Sequence, residues 1–323
     1  MRLKPIKIAA QYLQAGEVVA IPTETVYGLG ANAYDPEAVQ KIYAIKNRPH
    51  TSPLIVHTHD LAAVSDFVEE MPRIAVRLAR CFWPGGLTLL LKKKSIIPPI
   101  VTAGLPTVGV RIPAHPLTQQ VLQLLNFPIA APSANPFGYI SPTTAQHVAK
   151  QLGRKVAYIL DGGPSSLGVE STIIGFQGEK AVLYRQGSVP EEDIQRVIGS
   201  IGYYKSQEKP TIALTSGTLL SHYAPRTPLI VGSIDDLLNQ YQGHQIAMLG
   251  FDQYVEGIPR KLQFLLSPKK SLVQAAQRLF IGLHYLDDLG VDKIISSYLP
   301  SQGVGKAIND RLRRASYSLK PIQ

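Results

Sequence analysis

The chain has 323 residues, of which 45% are hydrophobic and 17% charged, as is typical of a globular protein. No apolar run approaches the roughly 18 residues that a membrane-spanning helix requires, and the basic start lacks the apolar segment of a secretory signal. The single cysteine, Cys81, excludes a disulfide framework and is expected to be a small buried hydrophobe near Trp83. We therefore expect a cytoplasmic protein with no membrane contact.

The net charge of +10 at pH 7 indicates anionic partners. Residues 1–200 contain 19 Lys and Arg against 14 Asp and Glu, and the remaining residues contain 14 against 9, so the excess is divided evenly. This spread fits a nucleotide or phosphate pocket at least as well as a nucleic-acid surface. The dense basic run at 92–94 is interpreted as a solvated strand end, with RNA contact as the alternative.

In chain order, the first predicted elements are a helix over residues 6–13 and a buried strand over 18–21 that Pro22 ends. The sequence Asp35-Pro36-Glu37 predicts the start of a helix that Pro49 stops. Further strands are predicted at 53–57, 87–91, 107–111, 128–131, 156–160, 171–175 and 181–185, and further helices at 61–67, 72–82, 115–125, 143–152 and 191–198.

The alternation of strands and helices in residues 1–200 predicts an α/β domain with a mixed, twisted sheet and flanking helices. Apolar periodicity fades over 201–226, which is interpreted as a linker in which residues 211–214 could pair locally. Residues 227–323 are predicted to form a smaller α/β domain. Its predicted elements are strands near 229–231, 245–250 and 293–297 and a long helix over 272–286.

Polar residues follow several of the predicted strands. They are Thr23 to Thr25, His57, Arg111, Ser133 to Asn135, Ser171 and Arg185. Strands that deliver polar groups to one rim are typical of a binding site. Gly28 and Gly30 let the backbone turn sharply or approach a ligand, although an ordinary turn capped by Thr23 or Thr25 is the alternative.

Two cations, Lys46 and Arg48, lie at the end of a predicted helix, where they suit a polyphosphate or simply cap the helix. His57 is expected to donate or accept a hydrogen bond, since no further His or Cys cluster accompanies it. Arg111 ends an apolar strand and therefore requires an anion, either Glu24 or Glu170 or a substrate carboxylate.

One apparent phosphate-binding loop, at 303–307, is rejected. Pro300 occupies the position of its first glycine, and Ala307 replaces the Ser or Thr.

Several serines offer neutral hydrogen-bonding groups, but nothing marks any of them as an activated nucleophile.

Six motifs, in order, resemble those of YrdC-like domains. They are 22–29 (PTETVYGL), Lys46-x-Arg48 with 53–57 (PLIVH), 109–113 (GVRIP), 131–135 (APSAN), 170–174 (ESTII) and Arg185-x-Gly187. Two more, 222–225 (HYAP) and 305–312 (GKAINDRL), resemble the two-domain threonylcarbamoyl-AMP synthases. The resemblance spans nearly the whole chain and implies a YrdC-like catalytic domain followed by a Rossmann-like accessory domain.

The resemblance implies an enzyme that joins L-threonine, bicarbonate and ATP into L-threonylcarbamoyl-adenylate and releases pyrophosphate. A threonylcarbamoyl transferase machinery would then modify the adenosine beside the anticodon of tRNA. Mg²⁺ is expected with ATP, held mainly by the substrate phosphates and water and not by a protein metal site. The positive charge would also allow weak tRNA binding.

The resemblance also assigns residues. L-Threonine would be bound by Thr25, His57, Arg111, Ala131 and Ser171. ATP would be bound by Lys46, Arg48, Ser52, Thr107, Ser133, Ser141, Arg185 and Tyr223, with Lys46 and Arg48 stabilising phosphate charge. Ser52 stands where the family often has Asn, and the segment 217–221 lacks the basic residues that relatives often carry there.

Two other functions are alternatives to that of a threonylcarbamoyl-AMP synthase. A YrdC-like module that binds RNA without adenylation activity would explain the net charge, but the basic residues are dispersed and no aromatic-plus-basic recognition motif is present. The hydrogenase-maturation carbamoyl transferases share the YrdC-like domain, but they need cysteine-rich zinc modules that a single cysteine excludes.

Overall fold

A computed structural model describes residues 3–204, 215 and 221–317, which form two β-sheets with helices packed against them. The strands of the first sheet are β1 (Val19–Ile21), β2 (Gly28–Asn32), β3 (Ile55–His57), β4 (Leu87–Lys92), β5 (Thr107–Arg111), β6 (Ile129–Ala130), β7 (Tyr158–Ile159), β8 (Thr172–Gln177), β9 (Lys180–Arg185) and β10 (Gly202–Tyr203). They lie in the order β10-β9-β8-β4-β5-β3-β6-β2-β1-β7. Parallel and antiparallel pairs both occur, so the predicted mixed sheet is confirmed.

Helices accompany this sheet along the chain. They are α1 (Leu3–Gln14), α2 (Pro36–Lys46), α3 (Arg73–Phe82), α4 (Pro99–Thr102), α5 (Pro116–Gln123), α6 (Ala145–Leu152) and α7 (Glu191–Ile198), with 3₁₀ helices at Ala63–Asp66 and Gly153–Lys155. None of the helices in the described residues is long and apolar enough to cross a membrane.

The second sheet is smaller and entirely parallel. Its strands are β11 (Leu229–Val231), β12 (Ile246–Gly250), β13 (Gln263–Leu265) and β14 (Lys293–Ser296), in the order β11-β14-β12-β13. Its helices are α8 (Ile234–Gln240), α9 (Leu272–Asp287) and α10 (Gly305–Ala315), with a 3₁₀ helix at Arg260–Leu262. A small parallel sheet with crossover helices confirms the predicted second α/β unit.

Most predicted elements are present within a few residues of their predicted bounds. β5 and α7 coincide with the predicted ranges 107–111 and 191–198. The start of α2 is also as predicted, because Oδ1 of Asp35 accepts hydrogen bonds from the backbone nitrogens of Glu37 (2.9 Å) and Ala38 (3.3 Å). Local capping chemistry therefore identified this helix correctly.

Among the described residues, six strands and α-helices were not predicted, namely α4, α8, α10, β2, β10 and β13, and neither were the 3₁₀ helices at Gly153–Lys155 and Arg260–Leu262. β2 is instructive, because its sequence has glycine at two of five positions and no β-branched residue. It pairs antiparallel with β1, and a Cβ on Gly30 would lie only 2.6 Å from Cγ2 of Ile129. Gly30 therefore allows a close approach between neighbouring strands, a backbone role with no turn.

Two local predictions were wrong. Cys81 is exposed and not buried, because the buried face of α3 carries Ala75, Leu78 and Ala79, and a residue two positions past Ala79 points about 200° around the helix from it. The helix predicted over 61–67 is a short 3₁₀ helix at Ala63–Asp66.

The predicted linker is described only in part. Residues 211–214 and most of the segment 217–221 lie outside the described residues, so the predictions made for them stay predictions. The domain bounds 1–200, 201–226 and 227–323 also stay predictions.

The two sheets are joined by a shared apolar core. Val26 and Val169, from the first part of the chain, belong to one buried cluster with Leu279 and Phe280 of α9. The contact is close, since a Cβ on Gly168 would lie 2.4 Å from the backbone oxygen of Ala276. Helix α9 therefore packs directly on the segment that precedes β8.

Candidate active site

A cavity lies at the ends of several strands of the first sheet, where segments distant in sequence meet. It is lined by all five residues predicted to bind threonine, Thr25, His57, Arg111, Ala131 and Ser171. It is also lined by three of the residues predicted to bind ATP, Ser133, Arg185 and Tyr223. The fold therefore brings eight of the thirteen predicted site residues to one place.

Arg111 is the central cation of this cavity. It ends β5 beside His57 of the parallel strand β3. Its Nη1 donates to Oγ1 of Thr25 (2.8 Å), its Nη2 to Oε1 of Glu24 (2.6 Å) and its Nε to the backbone oxygen of Gly85 (3.0 Å). A guanidinium has five N–H groups, so one N–H on each terminal nitrogen remains for a ligand.

Burial and the charge of Arg111 together determine whether Glu24 and His57 are ionised. Burial opposes ionisation of Glu24, but the charge and hydrogen bond of Arg111 outweigh it, so the pKa of Glu24 is lowered. Burial, and then the nearby charge of Arg111, lower the pKa of His57 to about 3. At neutral pH, Glu24 is thus ionised and His57 is neutral, with its Nδ1 donating to the backbone oxygen of Ile55 (3.2 Å).

Arg185 holds Ser171, another residue that lines the cavity. Nη2 of Arg185 donates to the backbone oxygen of Ser171 (2.8 Å) and to its Oγ (3.0 Å), while that Oγ also contacts Oγ1 of Thr88 at 2.7 Å. Burial lowers the pKa of Arg185 to about 10, so the guanidinium still carries its charge at neutral pH. Two arginines, Arg111 and Arg185, therefore line the cavity.

The structure holds Lys46 and Arg48 inward, behind the cavity wall. Nζ of Lys46 donates to the backbone oxygens of Ser133 (2.6 Å) and Asn135, and burial followed by the charge of Arg48 lowers the pKa of Lys46 well below its usual value. Nη2 of Arg48 donates to Oγ of Ser52 (2.6 Å). These three predicted ATP contacts adjoin the residues of the wall without lining it.

The last two predicted ATP contacts are also outside the cavity. Oγ of Ser141 donates to Oε1 of Glu170 (2.6 Å), a carboxylate that does line the cavity. Thr107 begins β5, four residues from Arg111, and lines a separate cavity together with Lys92. A strand rises about 3.3 Å per residue, so Thr107 lies roughly 13 Å along β5 from the site. Both roles stay predictions.

Known proteins match this chain over its length. Residues 11–187 match the Sua5/yciO/yrdC family model, described as telomere recombination, and residues 189–316 match the model described as threonylcarbamoyl-AMP synthase, C-terminal domain. The chain belongs to the threonylcarbamoyl-AMP synthase family. The predicted family is therefore confirmed.

Relatives and solved structures agree. The chain is 39% identical over 324 residues to the threonylcarbamoyl-AMP synthase of Pyrococcus abyssi, covering 96% of this chain and 94% of the relative. It is 42% identical over 328 residues to that of Bacillus subtilis, covering 95% and 92%. It also superposes on a crystal structure of P. abyssi Sua5 complexed with L-threonine, with a TM-score of 0.90 at 39% identity, covering 96% and 94%.

Membership of the threonylcarbamoyl-AMP synthase family confirms three predictions made from the motifs. The chain is an enzyme of the nucleotidyltransferase type, it makes threonylcarbamoyl-AMP with ATP as a substrate, and it serves tRNA modification. The fold prediction of a YrdC-like domain with a second α/β unit is confirmed by the superposition.

Among the described residues of this region, three with ionisable side chains were given no role in substrate binding by the sequence. Glu170 and His222 line the cavity, and Arg311 of α10 is buried beside it. Each falls within or beside a motif that was noted, but a motif does not show which side chains point inward. Among the described residues, Nδ1 of His222 and the hydroxyl of Tyr223 are buried without a hydrogen-bond partner. Buried orphan groups of this kind are expected where a polar ligand completes the site.

The carboxylates around the cavity are unsuited to holding a metal ion by themselves. Glu24 pairs with Arg111, and Glu170 pairs with Arg311. In the part of the chain that the structure describes, no group of three or more His, Cys, Asp or Glu could hold a metal. The residues present thus fit Mg²⁺ only as it arrives on phosphate oxygens.

Proposed function

We propose that this cavity binds L-threonine and ATP next to each other and that the chain converts them, with bicarbonate, into threonylcarbamoyl-AMP and pyrophosphate. The observation that carries this proposal is the convergence on one cavity of five separate segments, each with a residue predicted to contact threonine. The motif resemblance assigned those residues to threonine, and their convergence on one cavity supports that assignment.

On the threonine side, Arg111 would bind the substrate carboxylate through its two remaining N–H groups. Its hydrogen bonds to Thr25 and Glu24 fix the orientation of the guanidinium before the substrate arrives. His57 is neutral and adds no second positive charge. Ala131 and Ser171 would complete the wall around the threonine side chain and its hydroxyl.

On the nucleotide side, Arg185, Ser133 and Tyr223 would contact ATP directly, since they line the cavity. Lys46 and Arg48 would reach the phosphates by exchanging backbone carbonyl partners for phosphate oxygens. Phosphate is the stronger acceptor for both cations because it is charged. Mg²⁺ would be held by the phosphates and water and would neutralise part of their charge.

The chemistry needs positioning and charge more than a protein base. Once the threonine ammonium group has lost a proton to solvent, its neutral amine adds to bicarbonate and water leaves. The resulting carbamate is an anion, so its oxygen can attack the α-phosphate of ATP without losing a proton to the enzyme. Pyrophosphate then leaves, and the surrounding cations stabilise the charge that develops on the transferred and leaving oxygens. A cavity rich in arginines and hydroxyls, with a neutral His57, suits this reaction.

Beyond the cavity, we propose that a threonylcarbamoyl transferase machinery takes the adenylate to tRNA in the cytoplasm. The excess of basic residues would permit weak contact with that tRNA. We also propose the division into a catalytic domain (1–200), a linker (201–226) and an accessory domain (227–323).

The test is pyrophosphate release by the purified chain, with the adenylate identified by mass. Release is expected only when L-threonine, bicarbonate, Mg²⁺ and ATP are all present, and each omission serves as a control. Threonine-independent release, or none, would contradict the synthase. Binding of tRNA in the absence of any pyrophosphate release would instead support the RNA-binding alternative.

A further inference from the structure

Arg311 reaches the catalytic cavity from the other α/β unit. It lies on α10, and its side chain is completely buried. Its Nε donates to Oε2 of Glu170 (2.8 Å), and its Nη1 donates to the backbone oxygen of Gln186 (2.9 Å) and to Oδ2 of Asp310 (2.9 Å). Two of these three contacts thus join segments more than 120 residues away in sequence.

The contact with Glu170 fixes part of the cavity wall. The two carboxylate oxygens of Glu170 are held from different sides, Oε1 by Ser141 (2.6 Å) and Oε2 by Arg311. Glu170 directly precedes Ser171, whose hydroxyl is held by Arg185. Because Gln186 follows Arg185, a single guanidinium anchors both partners of the Ser171–Arg185 contact.

The second link runs through Tyr223. The guanidinium carbon of Arg311 lies 5.2 Å from the centre of the Tyr223 ring, within the range of a cation–π interaction. Tyr223 has a φ of 66°, which is uncommon for a residue other than glycine and persists only where the surroundings enforce it. Arg311 supplies part of that enforcement on a residue that lines the cavity.

Nη2 of Arg311 gives a further indication that the arrangement is not simply a structural ion pair. This nitrogen is buried and has no hydrogen-bond partner among the residues that the structure describes. A buried N–H without an acceptor is costly, whereas the other N–H groups of Arg311 compensate the buried carboxylates of Glu170 and Asp310. Nη2 is therefore the part of the guanidinium that these ion pairs do not explain.

We propose that Arg311 is a positioning residue for the nucleotide side of the cavity, acting through Glu170 and Tyr223. It rests on the proposed function, since it concerns the same substrates. The residues that Arg311 reaches directly or through one contact include Tyr223, Ser141 and Arg185, all predicted to bind ATP. Of the residues assigned to threonine, Ser171 follows Glu170 and is held by Arg185, whereas Thr25, His57 and Arg111 make none of their hydrogen bonds with this group, so an effect on threonine can arrive only through Ser171.

The experiment compares Arg311→Met and Arg311→Lys with the unaltered chain in steady-state pyrophosphate release. For Arg311→Met we expect the KM for ATP to rise by about tenfold or more, the scale of effect that misplaced contacts produce, and the KM for threonine to stay within about threefold. Arg311→Lys keeps the positive charge but lacks the planar guanidinium with its several donors. It should therefore retain more ATP affinity than Arg311→Met, but less than the unaltered chain. Arg313→Ala is the matched control, because Arg313 lies on the same helix, is 65% exposed and also pairs with Asp310.

The outcomes separate positioning from mere support of the fold. A structural role would lower the amount of active enzyme and leave both KM values unchanged, and that result would overturn the proposal. Equal loss of ATP and threonine affinity would also overturn it, as would failure of both variants to fold by circular dichroism. If the unaltered chain itself released no pyrophosphate, the proposed function would fail instead. Direct Mg-ATP binding by calorimetry would then still test Arg311.

Discussion

At the scale of single residues, the pair formed by Arg111 and Glu24 shows how stability and binding are combined. Their side chains are only 5% and 9% exposed, and Nη2 lies 2.6 Å from Oε1. A buried ion pair contributes little net stability, but removing one partner leaves the other charge uncompensated, at a cost of about 3–5 kcal/mol. The pair therefore makes Arg111 hard to replace, even before any substrate is bound.

Replacing Arg111 by Ala should weaken threonine binding far more than ATP binding. Loss of a charged hydrogen-bond donor costs about 1.5–3 kcal/mol, so we expect the KM for threonine to rise roughly 10- to 150-fold. Steady-state kinetics with each substrate varied would measure this. Arg111→Lys, which can keep the pair with Glu24, should lose less stability and less affinity. An equal fall in ATP affinity would show that the two sides of the cavity are wrongly divided.

The sequence indicates where a side chain lies when a strand ends on it, but it does not show which distant loop a side chain will contact. His57 and Arg111 end two strands, so their position on the sheet edge follows from the local pattern. Lys46 ends a helix, which suggests an exposed cation. In the structure it is buried by the carbonyls of Ser133 and Asn135, some 90 residues away. No local pattern contains that contact.

At the scale of elements, the junction of β8 and β9 is set by one glycine. A Cβ on Gly187 would lie 2.3 Å from the carbonyl carbon of Ser171 and from the backbone nitrogen of Thr172. These are backbone atoms, which cannot rotate away as a side chain can. Gly187 therefore allows the end of β9 to pack against the start of β8, where Ser171 lines the cavity.

Gly187→Ala should consequently harm both stability and activity. We expect a loss of about 1–3 kcal/mol in the free energy of unfolding, as for other overpacked sites, together with a lower kcat/KM for both substrates. Urea unfolding and pyrophosphate release would measure the two effects. Gly202→Ala in β10 is a suitable control, since its Cβ would meet atoms only at 3.6 Å and beyond. Similar behaviour of the two variants would contradict the role given to Gly187.

A helix or strand could be predicted from the sequence when its own residues favour it, and not when it forms only through pairing with distant segments. β5 and α7 have strong apolar periodicity, and both were located at their exact bounds. β2 has glycines where a strand normally has branched residues, and it exists because β1 and β6 pair with it on both sides. Helix α10 was noted only as a motif, because five of its eleven residues are charged and one of these, Arg311, lies on its buried face. Tertiary pairing, not propensity, determines such elements.

At the scale of the whole molecule, the two α/β units meet along α6 and α9, where two histidines are in contact. The rings of His147 and His284 have centroids 4.0 Å apart. Nδ1 of His147 accepts from the backbone nitrogen of Thr143 (3.3 Å), and Nε2 of His284 lies 3.3 Å from the backbone oxygen of Ser141. The acceptor role of Nδ1 requires a neutral His147, and burial keeps His284 neutral although its contact with Ser141 favours the charged ring, so this contact between the units depends on both histidines staying uncharged.

Acid should therefore weaken this contact. Burial lowers the pKa of His147 to about 4 and that of His284 to about 3, although Asp288 and Asp287 act in the opposite direction and Lys150 reinforces the shift. Below the unfolded value of about 6.5 the unfolded chain binds protons that the folded chain does not. Stability is thus fully present above pH 6.5 and falls progressively as the pH drops towards 4 and then 3.

The measurement is the free energy of urea unfolding between pH 7.5 and 4.5, for the unaltered chain and for the double variant His147→Asn, His284→Asn. Other buried histidines, such as His57, add to the slope of both proteins, so the difference between the two curves isolates this pair. We expect the double variant to lose less over that range, by at most about 5 kcal/mol, since each of the two histidines contributes at most about 1.4 kcal/mol per pH unit between pH 6.5 and 4.5. His244→Asn, at an exposed position, should match the unaltered chain. If the free energies of unfolding of the double variant and the unaltered chain changed with pH in parallel, the histidine contact would not be the cause of the acid sensitivity.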